Sequence, residues 1–151
     1  PSVTITSGKG TSAAIYLDGT RQLTKYGVDA EVEVEDPKTV VKLIAPYVDG
    51  HNYIGCNFNN NSVRVEQLQA GKRKTVGQEA FSYDSTGGKR TKLSIRMEGD
   101  KMISCYSGGQ RVISVRYEGE EYGGPAVSVW NEQIGAAKAT ITHFALTEAI
   151  E

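Results

Sequence analysis

The sequence predicts an all-β fold, a sandwich of two antiparallel sheets, and three observations lead to that prediction. Residues 28–36, "VDAEVEVED", alternate an apolar residue with an acidic one for four cycles, as a half-buried strand does. Short strand-like runs are separated by turn signals about every 8 to 12 residues, a spacing typical of β-sandwiches. The 17 glycines, with frequent Thr, Ser, Val and Tyr, favour strands and tight turns over helices.

Strand signals follow one another through the first half of the chain. "SVTITS" and "AAIYLDG" come first, and the acidic strand then ends at Asp36-Pro37. "TVVKLIAPYVDGHN" adds a strand and an Asp-Gly turn, and "NYIGCNF" and "SVRVEQLQ" flank the polar turn "NNN", which predicts a hairpin. We interpret "GKRK" as the tip of the next hairpin, and therefore as a solvated turn rather than a nucleic-acid patch.

The second half repeats this pattern. "TKLSIRMEGDKMISCYSGGQRVISVRYEG" predicts three strands joined by "EGD" and "SGGQ". "PAVSVWN" and "KATITHFALTEA" supply the last two strands. A helix of about one turn is expected only near "DPKTV" or "NEQIGAA". We therefore expect one β-sandwich domain over residues 1–151, large enough to bury a core.

Composition excludes several classes of partner. Lys and Arg total 17 against 18 Asp and Glu, a formal net charge of -1, so no nucleic acid or anionic membrane is expected as a partner. The apolar runs are far too short to span a bilayer. A chain that begins at Pro1 without Met suggests either a processed chain or a module excised from a larger protein, and we favour the excised module.

Two cysteines lie in apolar strand-like runs, Cys56 in "YIGCNF" and Cys105 in "MISCYS". Because free cysteine is among the most buried residue types, we expect two buried thiols. A single disulfide is the alternative, since pairing cannot be read from a sequence.

The order of several segments is more specific than the fold class. "YGVDAEVEVE" is followed by "VVKLIAPYVDGHNYIGCNF", then "SVRVEQLQAGK", "RTKLSIRMEGDKMISCYSGGQRVISV" and the closing pair "GGPAVSVWNEQIGAAKATITHFALTE". From about Ile15 to Leu146 this order resembles the concanavalin A-like jelly rolls. That superfamily includes laminin-G-like domains, family 66 carbohydrate-binding modules and domains of the 3-keto-disaccharide hydrolase type.

The resemblance implies a sandwich with one concave sheet face where relatives commonly bind sugars. Many relatives carry an Asp-Asn pair before the Phe of the final strand, but this chain has Thr142 and His143 there, so a calcium role of that pair does not transfer. A structural calcium ion is the only cofactor we consider. Turn oxygens that could bind it belong to Asp49, Asn52, Asp84, Glu98 and Asp100.

Alternation predicts which side chains face outward. In "KLSIRME", "MISCYS", "AVSVWN" and "SVRVEQL" the apolar positions are assigned to the core, which leaves a polar or aromatic set outside. Aromatic rings stack on the C–H faces of sugars, while carboxylates, amides and guanidinium groups pair with hydroxyls. The predicted ligand-binding residues are Trp130, Tyr106, Tyr47, Arg96, Arg64, Glu31, Asp29 and Asn57, with Tyr53 as a further aromatic candidate.

The acid row, Asp29, Glu31, Glu33 and Glu35, also allows a catalytic interpretation. Alternate residues on a strand lie about 6.5 to 7 Å apart, which only crudely matches the spacing of glycosidase carboxyl groups. Some jelly-roll glucanases use a similar acid ladder, but it has a central Asp that this row lacks. A solvated, ion-paired strand face explains the row without catalysis, and no catalytic residue is assigned.

The function predicted from the sequence is a non-catalytic carbohydrate-binding module, extracellular or at the cell surface. Its partners would be a polysaccharide or oligosaccharide and an appended catalytic domain in the same chain. Two alternatives are a small glycoside hydrolase or lyase that uses the acid row, and a laminin-G-like protein-interaction or adhesion domain.

Overall fold

The computed structural model describes residues 2–7, 13–16, 25–36, 38–59, 61–81, 89–119, 123–130 and 137–148. Twelve strands lie in these ranges: β1 (Ser2–Ser7), β2 (Ala13–Tyr16), β3 (Tyr26–Val34), β4 (Val40–Asp49), β5 (Asn52–Phe58), β6 (Ser62–Gln69), β7 (Lys72–Ala80), β8 (Thr91–Gly99), β9 (Met102–Ser107), β10 (Gln110–Arg116), β11 (Gly124–Trp130) and β12 (Ala137–Glu148).

The strands form two six-stranded antiparallel sheets. Sheet 1 has the order β1-β12-β3-β8-β9-β10, and sheet 2 has the order β2-β11-β4-β5-β6-β7. The predicted all-β sandwich is confirmed. The described part of the chain contains no helix. Of the predicted segment "DPKTV", Pro37 lies outside the described residues, the amide of Thr39 donates to the carbonyl of Asp36 at 3.0 Å, and Val40 begins β4. Most of "NEQIGAA" lies outside the described residues.

The core lies between the sheets and follows the predicted alternation. In β3, Val28, Ala30 and Val32 are fully buried, while the acidic residues between them are only partly buried. The predicted core positions of β6, β8, β9 and β11 are also buried: Val63, Val65, Leu93, Ile95, Met97, Ile103, Cys105, Val127 and Val129. Each strand therefore turns its other face away from the core, which is where a ligand could bind.

The β6–β7 hairpin differs from the prediction. Its turn is formed by Ala70 and Gly71, which adopt positive φ angles of 50° and 80°. Lys72, Arg73 and Lys74 are therefore strand residues of β7, although they are exposed as expected. This correction matters because a strand position fixes the face on which a side chain lies, whereas a turn position does not.

The prediction of two free thiols is wrong. Cys56 on β5 and Cys105 on β9 are fully buried, as expected, but they form a disulfide with a Cα–Cα distance of 6.0 Å. The bond joins the core faces of sheet 2 and sheet 1. The two cysteines face each other only because the sheets pack together, and the sequence pattern of each strand does not contain that information.

We predict that the double variant Cys56→Ala/Cys105→Ala unfolds with a markedly lower free energy of unfolding. The two cysteines are 49 residues apart, and closing a loop of that length restricts the unfolded chain by about 4 kcal/mol in the chain-entropy model. Urea denaturation followed by Trp fluorescence measures the difference. A reductant should destabilise the native chain and leave the variant unaffected. Equal urea midpoints for both proteins, or titratable thiols in the denatured native chain, would contradict the disulfide.

Candidate functional site

Seven of the eight predicted ligand-binding residues lie on two opposite faces of the sandwich, and the side chain of the eighth, Trp130, is outside the described structure. Asp29, Glu31, Arg96 and Tyr106 belong to β3, β8 and β9, and their side chains lie on the outer face of sheet 1. Asn57, Arg64 and Tyr47 belong to β5, β6 and β4 of sheet 2. Packed sheets are about 10 Å apart, so one sugar cannot contact both groups. The predicted set therefore describes two candidate faces.

On sheet 1 the acid row is ion-paired. The Asp29 carboxylate lies 2.7 Å from the Arg96 guanidinium and 3.9 Å from the Lys92 ammonium. Arg90 lies 4.0 Å from Glu33. Burial raises the pKa of Asp29, but hydrogen bonds from Ser94 and Arg96 and the nearby positive charges outweigh it, so the net pKa is lowered.

Tyr106 continues this network. The Arg96 guanidinium lies over the Tyr106 ring, 5.6 Å from its centroid, and the Tyr106 hydroxyl donates to Glu98 at 3.2 Å. These side chains use their polar groups on each other, as cross-strand pairs on an exposed sheet face do. A ligand on this face would have to break existing pairs.

The outer face of sheet 2 carries a second cluster, which we call the polar patch. It comprises Lys42, Asn57, Arg64, Glu66, Arg73 and Ser128. Register places Ser128, Lys42, Asn57 and Arg64 side by side on β11, β4, β5 and β6. Glu66 lies one step further along β6, and Arg73 follows on β7. The patch thus spans five neighbouring strands of sheet 2.

Glu66 is the centre of the polar patch. Its Oε1 lies 3.2 Å from Lys42 Nζ and 3.1 Å from Arg73 Nη1, and its Oε2 lies 3.4 Å from Arg64 Nη2. The Lys42 and Glu66 side chains are only 5% and 4% exposed, whereas those of Arg64 and Arg73 are 37% and 60% exposed. Burial lowers the pKa of Lys42, Glu66 partly opposes this, and the two arginines lower it further.

Asn57 is the unusual member. It is 1% exposed, and neither its amide nitrogen nor its carbonyl oxygen has a hydrogen-bond partner among the described residues. The Nε of Arg64, its register partner on β6, is also buried and lacks a partner within the described ranges. A buried polar atom without a partner costs about 1–3 kcal/mol. Unpaired buried polar atoms are rare in native structures, so these adjacent ones need a specific explanation.

Aromatic side chains lie beside the polar patch. The rings of Tyr47 and Tyr53 stack with their centroids 5.9 Å apart, and Lys42 Nζ lies 5.1 Å from the centroid of Tyr53. The backbone of Trp130 pairs with Val40 on β4, but its side chain lies outside the described part of the structure. Its predicted role as a sugar platform stays a prediction.

The structure also contains a small cavity, which shares Tyr53 with the aromatic surface beside the polar patch. It lies near the ends of β5 and β6, has a volume of about 80 Å³, and is lined by Asn52, Tyr53, Gln67, Leu68 and Gly119 among others. Ligand sites usually have volumes of about 300–1,000 Å³. The Gln67 amide also hydrogen-bonds the backbone of Glu118, so this cavity is better explained by packing.

The described residues contain no cluster of His, Cys, Asp or Glu that could hold a metal ion. The Asp49 carboxylate, one predicted calcium ligand, accepts hydrogen bonds from the His51 amide at 2.8 Å and the Asn52 side chain at 3.0 Å. Asp84 lies outside the described residues. A structural calcium therefore stays a prediction. Within the described ranges, no helix is long and apolar enough to cross a membrane.

Sequence reasoning missed four members of the polar patch as site residues: Lys42, Glu66, Arg73 and Ser128. One signal was available, because Lys42 is the single charged residue in the apolar run "VVKLI". Glu66 was assigned outward but not to a site, and Arg73 was assigned to a turn. Their convergence requires the pairing order β4-β5-β6-β7, which alternation within single strands does not give.

We predict that in Asp29→Asn the free energy of unfolding falls less steeply as the pH is lowered into the acid range than it does in the native chain. Because the folded-state pKa of Asp29 is lowered, its carboxylate stabilises the fold above the unfolded pKa of about 4. That stabilisation is lost as the pH falls through the folded-state pKa. Urea unfolding between pH 6 and pH 2 checks this, with the exposed Glu79→Gln as control. If the two variants lose stability with pH alike, the ion pairing of Asp29 is not stabilising.

We predict that Glu66→Leu destabilises the protein by about 3–5 kcal/mol, since it leaves Lys42 buried without its anion. In Lys42→Met/Glu66→Leu much of that loss should be recovered, because both buried charges are gone and the two arginines can reach water. Urea denaturation of both variants measures the effect. A Glu66→Leu stability within 1 kcal/mol of the native chain would show that the buried pair is not coupled.

Comparison with known proteins identifies the fold. The sequence matches no protein-family model and no curated protein. Its structure is similar to the carbohydrate-binding module CBM66 from Bacillus subtilis, with a TM-score of 0.77 and 15% identity, over 94% of this chain and 84% of that one. It is also similar to the Emp46p carbohydrate recognition domain in its potassium-bound form (TM-score 0.65, 9% identity, 99% and 89% covered).

A third similar structure is a native glycosidic hydrolase, with a TM-score of 0.66 and 11% identity, over 96% of this chain and 75% of that one. Binding proteins and a hydrolase thus share one architecture, so the comparison establishes the fold and not the activity. The predicted resemblance is confirmed: this chain has the concanavalin A-like jelly-roll fold.

Proposed function

We propose that this chain is a non-catalytic carbohydrate-binding module and that its sugar binds on the polar patch of sheet 2. The observation that carries the proposal is Asn57, a buried amide whose donor and acceptor are both unpaired among the described residues. Such an amide is costly in the free protein, and a sugar hydroxyl, which is both donor and acceptor, would satisfy it.

The surrounding groups suit the rest of a sugar. The guanidinium groups of Arg64 and Arg73 are 37% and 60% exposed, so they can donate hydrogen bonds to sugar hydroxyls. The buried Glu66 carboxylate holds both groups in place rather than binding the sugar itself. The stacked rings of Tyr47 and Tyr53 offer an apolar surface beside them. A sugar has both kinds of surface, hydroxyls around its edge and C–H groups on its face. The patch therefore combines the two contact types that sugar recognition needs.

The structural neighbours support binding of this kind. One is a carbohydrate-binding module and another a carbohydrate recognition domain. We further propose an extracellular or cell-surface location, since a disulfide between Cys56 and Cys105 is typical of oxidising compartments. We also propose that this module is joined to a catalytic domain in the same chain and holds that domain near its polysaccharide.

Hydrolysis has weaker support. Glycosidases need two carboxyl groups, one of them an acid with a raised pKa. Glu66 is the single acidic side chain of the polar patch, and its neighbours there are cations. On sheet 1 the pKa of Asp29 is lowered rather than raised, which suits an ion pair better than a proton donor.

We predict that Asn57→Leu abolishes sugar binding without loss of stability. Replacing an unpaired buried amide with an apolar side chain of similar length should leave the free energy of unfolding equal or higher. A panel of soluble and insoluble polysaccharides, read out through Trp130, the chain's one Trp, and by calorimetry, measures binding. We expect a loss of at least tenfold in affinity.

The same substitution at exposed Asn61 in the β5–β6 turn, Asn61→Leu, is the matched control and should bind normally. If Arg96→Gln abolishes binding while Asn57→Leu does not, the ligand binds on sheet 1 and the proposed site is wrong. If no polysaccharide binds the native protein, the carbohydrate-binding proposal fails, and a protein-interaction role becomes the better account.

A further inference from the structure

We propose that the sugar recognised by the polar patch carries an oxyanion, as a uronate carboxylate or a sulfate ester does. This inference rests on the proposed function and narrows it from carbohydrates in general to acidic glycans. It follows from three features of the patch: its local charge, its excess of hydrogen-bond donors, and the exposure of its arginines.

The local charge is positive. Lys42, Arg64 and Arg73 contribute three positive charges and Glu66 one negative charge, a formal sum of +2 for the patch. Lys42 is almost fully buried, so its charge is poorly screened by water. One carboxylate therefore does not neutralise its three cationic neighbours, and a second anion beside Glu66 would be attracted.

The hydrogen-bond inventory agrees with the charge. An ammonium and two guanidinium groups are donors only, whereas the carboxylate of Glu66 is an acceptor only. Lys42 and both arginines converge on its two oxygens. The buried Nε–H of Arg64 and the amide of Asn57 remain without partners in the part of the chain that is described. The patch thus has unused donors, and a ligand oxyanion supplies acceptors.

The exposure of the two arginines to solvent also suits an anionic ligand. Arg64 and Arg73 are 37% and 60% exposed, so the side of the patch toward β7 reaches solvent. Guanidinium groups bind carboxylate or sulfate oxygens through two parallel hydrogen bonds. An acidic group held by these arginines would place the attached sugar ring over neighbouring Asn57, which is the register partner of Arg64.

This attraction is local rather than a property of the whole chain. The formal net charge is -1, so the protein as a whole does not attract polyanions. Selective binding of an acidic glycan would therefore have to come from a built site, and it would be sensitive to single substitutions there.

Calorimetry with polygalacturonate, its fully methyl-esterified form, a sulfated galactan and the unsulfated galactan tests the inference on the intact chain. Each pair has one backbone and differs in charge. We expect at least one acidic member to bind tenfold or more tightly than its neutral partner, with affinity falling as NaCl rises from 50 to 500 mM. Which pair shows the difference identifies the carboxylate or the sulfate ester as the ligand group.

Arg64→Gln and Arg73→Gln should each reduce that preference by about threefold or more. The control Arg111→Gln, at an exposed position of β10 on sheet 1, removes the same charge elsewhere and should not change it. If a neutral glycan binds as tightly as its acidic partner and Asn57→Leu abolishes both, the acidic inference is wrong and the proposed function stands. If Arg111→Gln is as harmful as Arg64→Gln, the preference is unspecific and the inference also fails.

Discussion

The carboxylate of Glu66 organises the outer face of sheet 2. Three cations from three strands converge on it, and two of the four side chains are almost completely buried. Buried ion pairs of this kind rarely add stability over apolar packing, because desolvating the charges offsets their attraction. A sheet face built only for stability would carry apolar or exposed side chains instead. This arrangement is the basis for our proposal that the patch recognises a ligand, since fixed polar groups favour recognition.

The outer faces of the two sheets differ in how completely their polar side chains are paired. On sheet 1 Asp29, Arg96 and Tyr106 satisfy one another in cross-strand pairs, and the acid row is accounted for as an ion-paired outer face. On sheet 2 the pairing is incomplete, since Asn57 and Arg64 retain buried atoms without partners in the described structure. Local violations of polar pairing are expected where function requires them and the rest of the fold can compensate. Here the hydrophobic core and the cross-sheet disulfide provide the stability that offsets the cost of the unpaired atoms.

The sequence predicted the fold well because alternation is a local property. Val28, Ala30 and Val32 identify a core face from neighbouring residues alone. Turn signals separate most of the strands, although the β6–β7 turn lies at Ala70 and Gly71 and not at the predicted "GKRK". The disulfide and the polar patch were not predictable in this way. Cys56 meets Cys105 only when two sheets pack, and Lys42 meets Glu66 only across β5. The seven predicted ligand residues whose side chains are described are consequently divided between two faces. A strand pattern separates core positions from outer positions, but it does not show which sheet's outer face a residue lies on.

Side-chain NMR during a titration with the glycan that binds the native chain tests the assignment of the site most directly. The Asn57 amide and the Arg64 Nε–H give their own ¹H–¹⁵N signals, and Arg96 Nε–H on sheet 1 provides an internal reference. Our account predicts that the Asn57 and Arg64 signals shift with the ligand concentration while the Arg96 signal does not. Shifts confined to Arg96 and the strands around it would contradict the account and place the ligand on the opposite face.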